Sequence, residues 1–331
     1  MVVTIKDVAK MSGVSISTVS RVINNSKPVS SDIRDRVLKV IKETGYVPNP
    51  VARSLVTKKS NMIGVIVPDI SNMFIADLLN GVEDIGRMYD YDIVLCTTYS
   101  DPDKELKYIN LLKSKQAAGI ILVSGNVEQS HVDAIEISKI PAVYISKNAK
   151  DFDVYSVSID HFEAAYEMTK YLLDKGKEKI SFIRASAEDN IEDSERYQGF
   201  KKALDQAGIE IDKSLILQGD ESVSSGYTLA KKLIDEKNLP QAIFASSDEM
   251  AIGVVDALLD SNIKIPDQVS VAGYDDTRIA SMIRPSLTTV KQPIFDMGAV
   301  SARIIVKLIS NQHVEQKNTV LPYSIVERQS T

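Results

Sequence analysis

The stretch "TIKDVAKMSGVSISTVSRVINN", residues 4–25, decides the fold of the first part of the chain. Thr4, with Asp7 three residues later, forms a capping-box pattern, which predicts a first helix that ends at Gly13. Ser15 predicts the start of a second helix. The apolar side of this second helix carries Val19 and, three and four residues after it, Val22 and Ile23. Two helices joined by a short turn that contains glycine predict a helix-turn-helix.

A third helix is predicted from Ser31, taken as its N-cap, to Gly45, and it would complete a small three-helix head. The exposed side of the second helix is rich in small hydroxyl residues, which can bond to phosphates or base edges. An arginine on the same side can donate two hydrogen bonds to guanine. The residues predicted to read DNA from the head are Thr4, Ser15, Ile16, Ser17, Thr18 and Arg21. The alternative is a helix that only completes a hydrophobic core.

Charge is distributed unevenly along the 331 residues, which carry a net charge of -6. Residues 1–60 contain eleven Lys and Arg against four acidic residues, a net charge of +7. The rest of the chain contains 28 basic and 41 acidic residues, a net charge of -13. A basic head on an acidic body predicts that a polyanion binds to the head only.

The segment "GYVPNPVARSLVTKKSN", residues 45–61, follows the head. Asn49 would cap a helix and Pro50 would occupy its first turn, yet this helix could extend little beyond Leu55. Isolated helices shorter than about 12–15 residues are marginal in water. The residues therefore leave two interpretations: a linker that stops the third helix, or a helix that is ordered by a partner.

Beyond residue 61, nearly continuous apolar runs alternate with amphipathic stretches, which predicts parallel strands covered on both faces. The predicted strands are 62–68, 93–98, 119–124, 142–146, 155–159, 180–185, 215–219, 242–247 and 269–274. The predicted helices between them include 73–89, 103–116, 162–175, 195–207, 223–237 and 249–261. Two such series predict an α/β body of two doubly wound subdomains, with a ligand cleft outside the carboxyl ends of the strands.

The sequence has no GxGxxG after its first strand, no GxxxxGK[ST], no GxSxG and no HExxH, so we expect no catalytic residues and no enzyme activity. The three histidines lack metal-ligand spacing, and no metal site is predicted. The single Cys96 excludes an intrachain disulfide. No apolar run reaches the roughly 18 residues of a membrane helix. We expect a cytoplasmic protein that associates with the nucleoid.

The first 60 residues resemble the DNA-binding head of the LacI/GalR family of bacterial transcription regulators, through residues 4–25 and the following "GYVPNPVARSL". The resemblance implies a helix-turn-helix head (1–48), a hinge helix and linker (49–60), and a core (61–331) that resembles periplasmic sugar-binding proteins. It divides this core into an N-subdomain (about 61–160 and 291–320) and a C-subdomain (about 161–290 and 321–331).

The resemblance also implies how the hinge binds DNA. Members bind pseudo-palindromic operators as homodimers, and paired hinge helices enter the minor groove, where a leucine at the position of Leu55 is wedged between base steps. The hinge residues implied in DNA binding are Asn49, Ala52, Arg53 and Leu55. Pro50 stands where the family usually has alanine, and proline is tolerated in a first helical turn.

Parts of the body resemble the branch of the family that mediates carbon catabolite control in Gram-positive bacteria, among them "GVIVPDISNMF", "SDEMAIGV" and "DMGAVSARI". In this branch the phosphocarrier protein HPr, phosphorylated on a regulatory serine, is a corepressor that strengthens operator binding. The corepressor-binding residues that the resemblance implies are Asp84, Met88, Tyr89, Asp296, Arg303 and Lys307. Phe295 stands where tyrosine is usual, and Tyr323 and Ser324 replace a His-Arg pair, so one basic contact is missing.

Other family members respond to a small sugar in the cleft, where an arginine and an aspartate hold a polyol by charge-assisted hydrogen bonds. The effector-cleft residues implied are Ser71, Arg196, Asp248 and Asp275. No cofactor is expected beyond a sugar or sugar-phosphate effector. The expected function is therefore a sequence-specific regulator of carbon catabolite control, and the alternative is a local repressor that a sugar releases or activates. A sugar-binding or sugar-processing protein without a DNA role is a second alternative.

Overall fold

The computed structural model describes residues 3–24, 27–46, 60–146, 149, 152–184 and 191–331. The chain divides into two compact units, Met1–Ser60 and Asn61–Thr331. The first unit contains three described helices: α1 (Ile5–Ser12), α2 (Ile16–Asn24) and α3 (Ser31–Thr44). The predicted hinge residues Asn49, Ala52, Arg53 and Leu55 lie outside the described residues.

The three helices form the predicted helix-turn-helix head. The Asp7 carboxylate accepts hydrogen bonds from the Thr4 hydroxyl (2.7 Å) and the Thr4 backbone N–H (2.9 Å) at the start of α1, and these bonds lower the pKa of Asp7. Gly13 ends α1 in the left-handed conformation, at φ 65°, which glycine adopts without strain. The core of the head is formed by Val8, Ala9, Val19, Val22, Val37 and Val40. These contacts hold α2 against its neighbours by its apolar side.

The second unit contains two six-stranded sheets, which confirms the α/β fold class. The first sheet has the order β11-β5-β4-β3-β1-β2, with β1 (Met62–Val67), β2 (Asp92–Thr97), β3 (Gly119–Val123), β4 (Ala142–Ile145), β5 (Tyr155–Ser158) and β11 (Asn318–Val320). The second has the order β12-β10-β9-β8-β6-β7, with β6 (Ile180–Arg184), β7 (Ile216–Gln218), β8 (Ala242–Ala245), β9 (Ser270–Asp275), β10 (Thr288–Lys291) and β12 (Ser324–Val326).

Helices connect these strands and cover the sheets. They are α4 (Met73–Met88), α5 (Pro102–Ser114), α6 (Gln129–Ser138), α7 (His161–Asp174), α8 (Ile191–Gln206), α9 (Val223–Asp235), α10 (Asp248–Asp260) and α11 (Ile294–Ile309). The chain passes between the two sheets after β5, again after β10, and again between β11 and β12. Consequently α11 follows β10 of the second sheet but packs on α4 and on β3, β4 and β5 of the first.

The structure departs from the sequence predictions at short elements. The strands β10, β11 and β12, which have four, three and three residues, were not predicted. β12 pairs antiparallel with β10, an exception to the parallel pairing that the sequence predicts. The N-cap of α3 is Ser30 rather than Ser31, and its side chain makes no capping hydrogen bond. α8 begins at Ile191, before the predicted residue 195.

α4 and α11 cross in backbone contact through one glycine on each helix. A Cβ at Gly81 would lie 2.0 Å from the carbonyl oxygen of Phe295, and a Cβ at Gly298 would lie 2.0 Å from that of Leu78. Any side chain at either position would push the helices apart. Similar contacts join helices over the second sheet: Gly226 and Gly253 between α9 and α10, and Gly199 between α8 and α7.

We expect Gly81→Ala to lower the free energy of unfolding by about 1–3 kcal/mol, because the added methyl group overlaps a carbonyl oxygen that belongs to the backbone. Urea unfolding followed by circular dichroism measures this as a lower midpoint. The matched control is Asn80→Ala, at an exposed position of the same helix, where the change should stay within about 0.5 kcal/mol. Equal midpoints for the two variants would contradict the close crossing.

Candidate nucleic-acid interface and effector sites

The first part of α2 presents the predicted DNA-reading residues to solvent. Ser15, Ile16, Ser17 and Arg21 are exposed, and Thr18 is half-buried. Ile16 is 44% exposed, so a large apolar side chain lies among the polar ones. The apolar packing of the head therefore leaves a surface of hydroxyl groups, one arginine and one isoleucine for a partner.

The hydroxyl groups at the start of α2 hydrogen-bond to one another. Ser15 Oγ lies 2.7 Å from Ser17 Oγ and 2.9 Å from Thr18 Oγ1, and it accepts a hydrogen bond from the Thr18 N–H at 3.2 Å. Ser15 thus caps α2. The Thr4 hydroxyl is similarly engaged, because it donates to Asp7. A phosphate oxygen only accepts hydrogen bonds, so the Thr4 hydroxyl must exchange the Asp7 carboxylate for the phosphate if it is to donate to DNA.

A cavity of about 150 Å³ lies between the two sheets of the second unit, at the carboxyl ends of their strands. The first-sheet side contributes polar groups that follow strands, among them Asn72, Ser124 and Ser146. The second-sheet side contributes Arg196, Asp275 and Gln292 among others. Pockets for drug-sized ligands measure roughly 300–1,000 Å³, so this space suits one small polar molecule.

Arg196 is held on the second-sheet wall by two kinds of contact. It is 7% exposed, and its Nη1 donates to the Ser246 carbonyl oxygen at 2.7 Å. Its guanidinium lies 4.0 Å from the centre of the Tyr274 ring, a cation–π contact. The Tyr274 hydroxyl lies 2.9 Å from Nδ1 of His161, which also lines the cavity. The charged group therefore faces the cavity in a fixed orientation.

Asp275 and Gln292 form a second polar pair on the same wall. Gln292 Nε2 donates to Asp275 Oδ1 at 2.7 Å. Burial raises the pKa of Asp275, and the charge of Arg196 partly offsets this effect. Asp275 adopts φ 117°, in the left-handed region that favours glycine, so its backbone is strained. Gln292 Oε1 is buried and has no hydrogen-bond donor within the described part of the chain. This wall therefore offers an acceptor for a ligand hydroxyl.

The structure brings Arg196 and Asp275 to the cavity, but places Ser71 and Asp248 elsewhere. Ser71 is exposed, and its N–H and hydroxyl bond to Asp69 at 2.9 and 2.8 Å. Asp248 is fully buried, and its carboxylate accepts bonds from Thr277 N–H, Thr277 Oγ1 and Thr289 Oγ1 at 2.7, 3.0 and 2.6 Å. Their direct neighbours Asn72 and Ser247 do line the cavity, and the assignment of Ser71 and Asp248 to the effector cleft stays a prediction. Asp248 ties α10 to the segment after β9 and to β10.

The predicted corepressor-binding residues lie on α4 and α11, or directly after α4. We call the surface formed by Asp84, Met88, Tyr89, Phe295, Asp296, Arg303 and Lys307 the α4–α11 face. Met88 and Tyr89 are 64% and 50% exposed, and Phe295 is 47% exposed. Arg303 and Lys307 are exposed and one turn apart, and neither has an ion-pair partner among the described residues. Apolar groups and two cations are thus both open to solvent on the two helices.

Asp84 on this face already has a partner. Arg87 Nη2 lies 2.8 Å from Asp84 Oδ1, and Arg87 Nη1 lies 4.0 Å from Glu83. These contacts join neighbouring turns of one helix. They raise the pKa of Arg87, and the hydrogen bond to Asp84 is the largest cause. A protein that binds Asp84 must therefore share it with Arg87 or displace Arg87.

Sequence analysis missed several polar residues of the cleft. Gln292 and His161 line the cavity, but neither belongs to a motif. Ser124, at the end of β3, also lines it and donates to the buried Glu105 at 3.2 Å. Nε2 of the buried His131 lies 3.1 Å from the same carboxylate oxygen. The sequence signal for Gln292 and Ser124 was their position directly after strands, because the carboxyl ends of these strands meet the cleft.

Among the described residues, no group of three or more His, Cys, Asp or Glu side chains is placed to hold a metal ion. No helix in the described ranges is long and apolar enough to span a bilayer.

A helix-turn-helix head followed by a two-sheet body with a cavity between the sheets is the architecture of a DNA-binding transcription regulator. Residues 4–49 match the model of bacterial regulatory proteins of the lacI family, and residues 169–331 match the periplasmic binding protein-like domain. The chain is 40% identical to catabolite control protein A of Priestia megaterium over all 331 residues, which cover 100% of both chains. It belongs to the LacI family of bacterial regulatory proteins and is a DNA-binding transcription regulator.

Two solved structures extend the comparison. The lac repressor dimer bound to operator and the anti-inducer ONPF is 26% identical, with a TM-score of 0.90 over 100% of this chain and 99% of that one. The complex of the transcriptional regulator CelR with cellobiose is 30% identical, with a TM-score of 0.75 over 99% of this chain and 100% of that one.

We expect Asp248→Ala to lower the free energy of unfolding by about 3 kcal/mol or more, because it leaves three buried donors unpaired. Urea unfolding checks this, with Asp256→Ala, at an exposed position of α10, as the matched control. If Asp248→Ala unfolded at the same urea concentration as the control, the carboxylate would not have the structural role described above.

Proposed function

We propose that the protein is a homodimeric, sequence-specific regulator of carbon catabolite genes, whose affinity for pseudo-palindromic operator DNA rises when seryl-phosphorylated HPr binds to the α4–α11 face. The similarity to a catabolite control protein and to a repressor dimer bound to operator supports this proposal. The protein would act on the nucleoid, in the cytoplasm, and without catalysing a reaction.

The observation that carries the proposal is the pair of exposed cations on α11. Arg303 and Lys307 lie one turn apart without an ion-pair partner among the described residues, a spacing at which two side chains can hold one phosphate group. The exposed Met88, Tyr89 and Phe295 supply apolar contacts that a free phosphate could not use. A phosphorylated protein fits both features of this face.

DNA binding would use the head and the hinge in different ways. α2 would enter the major groove with Ser15, Ser17, Thr18 and Arg21, and the net charge of +7 on residues 1–60 would attract the phosphates. Paired hinge segments would enter the minor groove, with Leu55 wedged between base steps. The hinge lies outside the described residues, so this part of the proposal rests on the sequence alone.

The two sites would communicate through closure of the two subdomains, which would bring the paired hinges together. HPr must bind the closed state more tightly than the open state, since an effector shifts an equilibrium only by its difference in affinity. The higher operator affinity then follows from the larger closed fraction.

The test is fluorescence anisotropy of a labelled operator, with and without seryl-phosphorylated HPr. We expect the phosphoprotein to tighten the wild-type complex and to bind the Arg303→Ala, Lys307→Ala double variant roughly tenfold or more weakly, because charge-assisted bonds to phosphate are lost. Operator affinity without HPr should be equal for both proteins.

Unphosphorylated HPr and the variant Lys232→Ala, at an exposed position of α9, are the controls. Catabolite control would be contradicted if phosphorylated HPr left the operator affinity of the wild-type protein unchanged while a sugar lowered it. The absence of any specific, salt-sensitive operator complex would contradict DNA binding itself.

The second candidate is a local repressor that responds to a sugar. The buried acceptor Gln292 Oε1 favours it, because a sugar hydroxyl could donate to this atom while Arg196 and Asp275 bind its neighbours. The relative solved with cellobiose supports a sugar in this cavity.

We expect Gln292→Leu to weaken binding of a responsive sugar by about tenfold, because the buried acceptor is lost. Calorimetry with cellobiose and simple monosaccharides measures this, and Gln312→Leu, at an exposed position after α11, is the control. Failure of every tested sugar to bind the wild-type protein or to change its operator affinity would count against this candidate.

A further inference from the structure

The amino-terminal half of α4 contacts the other subdomain at two points. The backbone N–H of Met73, one of the donors that a helix leaves unpaired in its first turn, lies close enough to the Glu249 carboxylate, at the start of α10, to lower the pKa of Glu249. One turn later, Arg278 Nε donates to Asp77 Oδ1 at 3.0 Å, and its Nη2 contacts the same oxygen. Both contacts join the first-sheet side of the cleft to the second-sheet side.

The same stripe of α4 reaches the α4–α11 face. Residues 73, 77, 84 and 88 follow at intervals of four, seven and four, so they lie along one side of the helix. The helix has sixteen residues and is about 24 Å long at 1.5 Å per residue. Gly81, where α4 crosses α11, lies between the two pairs. A tilt of α4 about this crossing would therefore move both ends at once.

We propose that the Asp77–Arg278 and Met73–Glu249 contacts form a latch that holds the subdomains closed, and that α4 couples this latch to a protein bound at its carboxyl end. The coupling rests on the proposed function, whereas the latch does not. Asp77 and Glu249 are positioning residues in this device, since they act on the arrangement of the subdomains.

The latch is weak enough to open. The Arg278 side chain is 66% exposed, and exposed ion pairs contribute little because water and salt screen them. Glu249 also lies near charges of its own sign. Burial is the largest cause that raises the pKa of Glu249, and the negative charges of Glu221 and Asp69 raise it further. Asp69 belongs to the first-sheet side and Glu249 to the second, so their repulsion favours opening. Because these attractive and repulsive contacts oppose one another, an effector can shift the equilibrium between the open and the closed arrangement of the subdomains.

The latch is tested by a distance measurement that needs neither DNA nor effector. Spin labels at Tyr99→Cys and Val223→Cys, exposed positions after β2 and β7, report the width of the cleft in a Cys96→Ser background. An excess of unlabelled chain leaves one labelled copy per assembly. Asp77→Arg should increase the open fraction relative to the closed by roughly two- to fivefold. The reversed pair, Asp77→Arg with Arg278→Asp, should restore the wild-type distribution.

Glu327→Lys is the matched control, because it breaks an exposed ion pair with Lys175 that lies within one subdomain. It should leave the distances unchanged. Equal distance distributions for wild type and Asp77→Arg, in variants with wild-type circular dichroism and urea midpoint, would overturn the latch. So would failure of the reversed pair to restore closure.

The coupling is tested with seryl-phosphorylated HPr on the same labelled chains. HPr should shift the wild type toward the closed distance, and it should bind Asp77→Arg more weakly, by at most the factor by which the closed state is depleted. Equal binding to both proteins would overturn the coupling. If HPr bound neither, the proposed function would fail, and the effect of Asp77→Arg on distance would still decide the latch.

Discussion

Two glycines, Gly81 and Gly298, let the backbones of α4 and α11 touch, and this contact sets the distance between the two helices at their crossing. Because neither helix has a side chain at the crossing, their separation is set by backbone atoms that cannot adapt. Both the α4–α11 face and the contacts across the cleft depend on this geometry. The α4–α11 face is built on the two helices, and the residues that bridge the cleft begin at the amino terminus of α4.

The cleft and the α4–α11 face differ in chemistry, although one body carries both. The cleft buries its charges and limits a ligand by volume, so it selects a small polar molecule. The face exposes aromatic, thioether and cationic groups, which suit a larger and charged surface. The two sites do not overlap, and each could therefore bias the same closure without excluding the other.

Hydrophobic period and turn residues predicted the head and the strands β1 to β9, because these elements show a pattern among neighbours in sequence. The short β11 and β12 depend on strands far along the chain, and no local pattern marks them. The same limit applies to the site. Asp248 and Asp275 both lie near strand ends, but Thr289, 41 residues away, makes one of them structural. Only the fold reveals that Gln292 Oε1 has no donor among the described residues.

Because the chain returns to the first sheet only at α11, most of this sheet is synthesised long before the helix that covers it. The first sheet and α4 emerge early, but α11, which covers them, follows the entire second sheet except β12. Until α11 is made, the glycine crossing of α4 lacks its partner helix, and the side of β3, β4 and β5 that α11 covers stays open. The nascent chain must therefore hold a half-covered sheet while the middle of the body forms. Such an intermediate exposes hydrophobic surface, and chaperones would be expected to bind it before the final helix arrives.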